Sequence, residues 1–286
     1  FYSGGSRVKV PSNITVNGPA EINYDYINAT NNSQLAWFGQ THNLNFRRDI
    51  GKGETLNIDI DYVRRGAIDS NNVVNQYLLN NAGLTPAYTE QEGDIKTKMV
   101  VTKLDYEKTI FKNWALETGV KASWVSNKNE FLSSNGTNKN DIVKNENASN
   151  DFNYDEAIYS AYISTSKKWK EKWFFDLGVR VEHTEAIGFS PTIDSTFKRS
   201  YTSVFPNLSI SYTTPEKYNL SASATRRVRR PNYYELNPFS NQVNQFIYEN
   251  GNPFLKAQFT DVATISWGLR NKYFFTLSAS QTRGQM

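Results

Sequence analysis

The chain has 286 residues, 38% of them hydrophobic and 21% charged, with a mean hydropathy of -0.62 and a net charge of +4 from 32 basic and 28 acidic side chains. No apolar run approaches the roughly 20 residues that a membrane-spanning helix requires, which excludes a helical membrane protein. The absence of cysteine removes disulfide frameworks, thiolate metal sites and cysteine nucleophiles. The small basic surplus is spread along the chain and does not form the stripe that nucleic-acid binding needs.

Residues before Gln34 are polar and irregular and read as an outer loop. From there a period of two takes over. In ETLNIDIDYVR, Leu56, Ile58, Ile60 and Tyr62 share one face, while Asn57, Asp59 and Asp61 share the other. KWFFDLGVRVEH repeats the pattern with Trp173, Phe175, Leu177, Val179 and Val181 opposed to Asp176, Arg180 and Glu182. KYNLSASAT sets Leu220, Ala222 and Ala224 against Ser221, Ser223 and Thr225. About ten such strands begin near Phe38, Glu54, Thr97, Trp114, Tyr154, Lys172, Tyr201, Lys217, Phe259 and Lys272.

A single strand with one greasy face suits a soluble sandwich as well as a membrane wall; the connections separate the two. Tight turns are predicted at Asp49 to Gly53, Phe111 to Asn113, Trp169 to Glu171, Thr213 to Glu216 and Arg270 to Asn271. Between them lie long polar stretches at Ala67 to Gly93, Ser133 to Asn153, Ile187 to Lys198 and Pro231 to Lys256. Strict alternation of short and long connections is the asymmetry of outer-membrane barrels, with short periplasmic turns and long extracellular loops, whereas sandwiches mix loop lengths at both ends. The fold expected is an all-β, antiparallel, up-and-down transmembrane β-barrel, present in part and occupying residues 1–286 as one partial barrel domain in the cell outer membrane.

Aromatic residues are 14% of the chain. Tyr106, Trp114, Trp173, Tyr212, Tyr218, Trp267 and Tyr273 fall on the apolar face beside the short turns and are expected to form the periplasmic interface girdle. Tyr62 and Trp124 are candidates for the outer one. The two histidines, His42 and His183, sit in separate strands, and the carboxylate pairs Asp59/Asp61 and Asp105/Glu107 are expected to line the lumen. No phosphate loop, zinc spacing or calcium loop appears, so no enzyme activity, cofactor or metal site is expected.

Three segments carry a resemblance: LGVRVEHTEAIG from Leu177, FKRSYTSVFPNLSISY from Phe197, and RRVRRPNYYELNPFSNQVNQFIYENGNPFLKAQFTD from Arg226, with its RP, LNPF and GNPFL elements. Together they resemble the outer-membrane β-barrel family related to TonB-dependent receptors of Gram-negative bacteria. The resemblance implies a receptor and transporter that takes up an unknown solute through a barrel of about 22 strands. The chain contains no plug domain and no TonB-contacting segment, so it reads as an interior slice, reaching the TonB energy-coupling complex only through a plug outside it. The alternative is a plugless barrel serving as pore, adhesin or assembly component. Outer-membrane lipid is the expected partner in either case, and nucleic acid is not.

The expected solute or partner site is the strand end at Arg226, Arg227, Arg229 and Arg230 with the loop that follows. Arg227 and Arg229 have the parity of lumen-facing Ser221 and Ser223, and guanidinium groups bind carboxylate or phosphate bidentately. Tyr233, Tyr234, Phe239, Phe246 and Tyr248 add aromatic surface in the same loop. The bland reading stays open, in which the arginines pair with lipid phosphates or with Glu235 and Glu249, and the aromatics pack the loop on the rim.

Overall fold

The computed structural model describes residues 2–17, 26–80, 82–111, 114–216, 218–238, 240–244, 247–270 and 272–284; side chains are described from residue 27 onward, apart from those of Tyr234 and residues 240–250. Among them run β1 (Tyr2–Asn17), β2 (Tyr26–Gly51), β3 (Glu54–Leu79), the two-residue β4 (Ala82–Gly83), β5 (Ala87–Ile110), β6 (Trp114–Gly136), the two-residue β7 (Val143–Lys144), β8 (Asn150–Trp169), β9 (Trp173–Ser190), β10 (Ser195–Thr213) and β11 (Tyr218–Arg229). The short helix α1 (Tyr233–Leu236) and a hairpin of β12 (Ser240–Asn244) with β13 (Ile247–Asn250) follow, before β14 (Gln258–Leu269) and β15 (Tyr273–Arg283). All but β12 and β13 belong to one sheet, in the order β1-β2-β3-β5-β6-β8-β9-β10-β11-β14-β15, with β4 and β7 appended to β3 and β6. Each long strand is antiparallel to the next in sequence, which is the up-and-down meander that the turns predict.

Register turns the sequence alternation into two continuous surfaces. Phe46, Ile58, Leu104, Val120, Ala161, Val181 and Val204 are successive cross-strand partners over seven strands. Ile210, Ala222, Ile265 and Leu277 continue the same face to β15. Most of these large side chains are exposed, Val120 at 53% and Ile265 at 53%. Apolar exposure this extensive suits lipid and not water. The opposite face carries the row Asn45, Asp59, Lys103, Lys121, Ser160, Glu182 and Ser203.

Small residues let the wet face close over its charges. Tyr162 lies across its register partner Gly119, where an added Cβ would meet the Tyr162 ring at 2.8 Å and the Leu104 carbonyl at 2.7 Å. From there its hydroxyl reaches Asp105, and it lies 3.0 Å from Glu117. Asp105 is buried and is neutralised by Lys103 at 2.6 Å. At the turn end, Gly53 takes a φ of 68°, and Phe111, Lys170, Glu171 and Arg270 also adopt positive φ, the conformation that tight hairpins impose.

All seven predicted girdle aromatics lie on the apolar face toward the short-turn end. Trp169, Trp173, Tyr212, Leu220, Trp267 and Phe275 form one row across the sheet. The rings of Trp173 and Tyr212 are 4.7 Å apart. Tyr218 and Tyr273 both pair with Leu269 one step beyond. Trp114 is covered by the Lys167 ammonium at 4.7 Å, and Tyr106 pairs with Leu56.

Two expectations need correction. The described residues before Gln34 are not an irregular loop: β1 pairs with β2 from Tyr2 opposite Thr41 to Asn17 opposite Tyr26, giving an eleventh strand in the path. The stretches Ala67 to Gly93 and Ile187 to Lys198 are likewise mostly strand, and Ser133 to Asn153 is so at its two ends. Beyond the bilayer both faces meet water, so the alternation that marks a strand vanishes while the backbone ladder continues. Cross-strand polar pairs such as Asn71 with Gln91 at 3.2 Å and Thr97 with Asn127 at 2.6 Å support it there. Strand length therefore falls from 26 residues in β2 and β3 to 12 in β11 and β14, close to the roughly 9 to 11 that cross a bilayer.

The sidedness is testable in the complete protein by unfolding in lipid. Leu220→Arg, on the apolar face, is expected to cost about 2 to 4 kcal/mol, and Ser221→Arg much less; equal losses would refute the face assignment. Gly119→Ala is expected to cost about 1 to 3 kcal/mol, because its Cβ would press on the Leu104 carbonyl as well as on the Tyr162 ring; Tyr162→Ala in the same background should recover only the part owed to the ring.

Candidate functional site

The outermost pair of the β10–β11 ladder is Asn207 with Thr225. The next residue outward on β10 is Pro206, which has no N–H to donate. Beyond it β10 pairs only with β9, and β11 only with β14. The buried Phe205 stands at this seam, with the Arg180 guanidinium 5.2 Å above its ring and the Phe259 ring 6.3 Å away. The chain leaves β11 at Arg230-Pro231 and returns at Gln258.

The intervening loop folds onto the wet face. Asn232 caps α1: its side chain accepts from the Glu235 N–H at 3.0 Å, and the Glu235 carboxylate accepts from the Asn232 N–H at 2.7 Å. Asn237, extended ahead of Pro238, ends the turn. Its side-chain oxygen accepts from Asn150 at 3.2 Å, on a strand 87 residues earlier. The Asn252 N–H donates to the Glu235 carbonyl at 2.7 Å, and its side-chain oxygen accepts from the Phe254 N–H at 2.9 Å. The GNPFL element thus ties back to α1, and Asn237 of the LNPF element ties the loop to β8.

Leu236, fully buried, inserts among Phe152, Tyr154 and Ala186, with Phe197, Tyr233 and Leu255 packed around them. The Phe152 and Tyr233 rings are 5.4 Å apart. Phe197 lies over its partner Gly188, where any Cβ would collide with the ring. Burial pushes the Tyr154 phenol well above the usual tyrosine range, and the Glu156 carboxylate that accepts its hydrogen bond at 2.9 Å adds to the shift. Arg199 donates to the Pro253 carbonyl, and desolvation lowers its pKa from the ordinary guanidinium value.

Three of the four predicted arginines are engaged within the protein. Arg226, on the apolar-face parity, grips Asp261 bidentately at 2.6 and 3.0 Å. Arg229 pairs with Glu235 at 2.9 Å. Arg230 reaches across β10 to Glu182 at 2.6 Å and Thr184 at 3.2 Å, while Arg180 holds the other Glu182 oxygen at 3.0 Å. Arg227 is exposed, on the wet face, and has no hydrogen-bond or ion-pair partner among the described residues. Three guanidiniums, of Arg180, Arg229 and Arg230, thus meet the two carboxylates of Glu182 and Glu235, and Arg227 adds a fourth positive charge on the same face among the described side chains.

Tyr233 belongs to the loop core rather than to an open surface. Phe239 and Phe246 lie outside the described residues, as do the side chains of Tyr234 and Tyr248. Sequence reasoning put Arg180 and Glu182 on the wet face without joining them to Arg230. Only the curvature and register of three strands bring them together.

A family model described as the outer membrane protein beta-barrel family matches residues 45–286. No curated protein matches the chain by sequence. Among solved structures, the copper transporter OprC is similar with a TM-score of 0.53 at 10% identity, over 98% of this chain and 52% of that one. The ferric yersiniabactin uptake receptor FyuA from Yersinia pestis gives a TM-score of 0.48 at 10% identity, over 98% and 54%. The chain therefore spans about half the length of these neighbours, and identity this low shows the fold alone. With a lipid-facing apolar surface, a charged inner face and a family match over most of its length, the chain belongs to the outer membrane protein beta-barrel family and resides in the cell outer membrane.

Proposed function

We propose that the chain forms wall and outer mouth of a surface receptor that captures a solute and passes it through the barrel, with uptake coupled to the TonB complex through a plug outside this chain. The observation that carries the reading is the loop between β11 and β14. It is folded onto the wet face and, among the described side chains, leaves a guanidinium surplus with Arg227 unpaired. A connection that merely joined two strands would not need to cross β10 and bury Leu236 on β8 and β9. The proposed role is binding and passage; both histidines have the apolar-face parity, where His183 lies 3.3 Å from Glu185. The seven aromatics near the short turns act as the inner interface girdle.

A second reading, a plugless barrel that binds a partner at the cell surface, is favoured by one feature. Strands β2 to β6 continue well past the bilayer as a tall polar sheet.

Uptake of a panel of labelled metal chelates, oligosaccharides and small peptides by cells carrying the complete protein separates the two. The receptor reading predicts that at least one compound enters only when TonB is functional. Arg227→Gln with Arg229→Gln should then reduce its entry about tenfold or more, the loss of one or two charge-assisted hydrogen bonds. Entry independent of TonB would contradict energy coupling, and unchanged entry in the double variant would leave the arginines a structural role.

A further inference from the structure

A second concave site lies on the wet face, on strands distant from the loop. Trp37, Gly39 and Thr41 on β2 share the parity of Asn43 and Asn45; Arg65 and Ala67 on β3 share that of Asp59 and Asp61. With Ile95 and Thr97 on β5 they line a cavity of about 510 Å³, inside the roughly 300 to 1,000 Å³ range of small-molecule sites. Its floor is open because Gly39 has no side chain and pairs on its other edge with Gly4, while the register partners of Trp37 are the small residues Ser6 and Ala67. The site stands at the outer mouth: Trp37 is about 45 Å along β2 from the turn at Gly51, at roughly 3.3 Å per residue, beyond an apolar band about 25 Å tall.

Two side chains there have no structural explanation. Trp37 is 40% exposed on the wet face, so lipid does not cover it, and no ring of a described residue stacks on it. Arg65 is exposed and has no hydrogen-bond or ion-pair partner among the described residues, in contrast to Arg64, whose guanidinium covers the Phe38 ring at 6.0 Å. An indole and a guanidinium left uncovered by the described side chains, above a floor formed by the backbone of Gly39, match a flat ring that carries negative charge. The row through Arg65 runs on through Thr97, Asn127 and Tyr154, so the cavity and the inward-folded loop share one surface.

We propose that this cavity binds a ring-bearing organic anion, its ring on Trp37 and its carboxylate or phosphate on Arg65. Its purpose rests on the receptor reading, but its existence does not. The test therefore measures binding alone: uptake that fails while binding persists would fault transport and leave the cavity standing.

The probes are indole-3-carboxylate and its neutral counterpart indole-3-carboxamide, titrated by calorimetry into the complete protein in lipid nanodiscs, with empty nanodiscs as blank. Saturable binding of the carboxylate is expected. Arg65→Gln should weaken the carboxylate about tenfold or more and leave the carboxamide within about twofold, because only the charged hydrogen bond is lost. Trp37→Leu should weaken both. Gly39→Leu should abolish both by filling the floor; its Cβ meets only ordinary contact, with Arg65 Cγ at 3.7 Å. Absence of saturable binding to the assembled wild-type protein would overturn the proposal, as would binding that survives Trp37→Leu and Arg65→Gln.

Discussion

A peptide group in hydrocarbon has no water to bond with, so each N–H and C=O that crosses the bilayer must find a partner in the chain itself. In this protein the partners are the neighbouring strands, and the rest of the architecture follows. Antiparallel pairing from β1 to β15 satisfies the ladder, and the pleat then sends alternate side chains to opposite faces. One face can be apolar throughout only if the register never slips within the bilayer, which the unbroken rows from Phe46 to Val204 and from Ile210 to Leu277 display. The other face is thereby free to carry charge.

Where the ladder is interrupted, the structure compensates with side chains. Past Pro206 the facing edges of β10 and β11 are no longer joined, and the region above the break is tied by Arg230 to Glu182 and by Leu236 in its pocket. Glu182 accepts from Arg180 on its own strand and from Arg230 just past the end of β11, so it fastens β9 to the start of the loop at one point. Removing one partner of so enclosed a pair is costlier than the pair itself is stabilising. The same economy of space recurs where Tyr162 and Phe197 each lie over a directly opposed glycine: the missing side chain on one strand is filled by the ring of the next.

Much of this was legible in the sequence because, within the bilayer, chemistry and geometry share one period. Leu56, Ile58 and Ile60 could be assigned a face, and Trp173, Tyr212 and Trp267 an end, from spacing and short turns alone. The outer parts of β2, β3 and β5 were not legible, since a strand wet on both faces has no alternation to betray it, and the backbone pairing of β1 was not read from its sequence. The loop's closure was half legible: RP, LNPF and GNPFL marked the segment, and Asn232 and Glu235 stand at capping-box spacing. The strand partners of Arg230 and Leu236 lie 46 residues or more away in sequence. No local pattern encodes such contacts. Trp37 and Arg65 were passed over for a related reason, because only register brings them to the same cavity.

The central claim is that the even-numbered residues of β11 face lipid and the odd-numbered ones face water. These 286 residues contain no cysteine, so a direct measurement is possible once any cysteine elsewhere in the complete protein has been replaced. Single cysteines placed in turn from position 218 to 228 of the complete protein, each carrying a nitroxide, can be tested for collision with oxygen, which concentrates in lipid, and with a water-soluble nickel chelate. The account predicts a strict period of two, with oxygen favoured at 220, 222 and 224 and nickel at 221, 223 and 225. Uniform accessibility, or the same period with opposite phase, would contradict it.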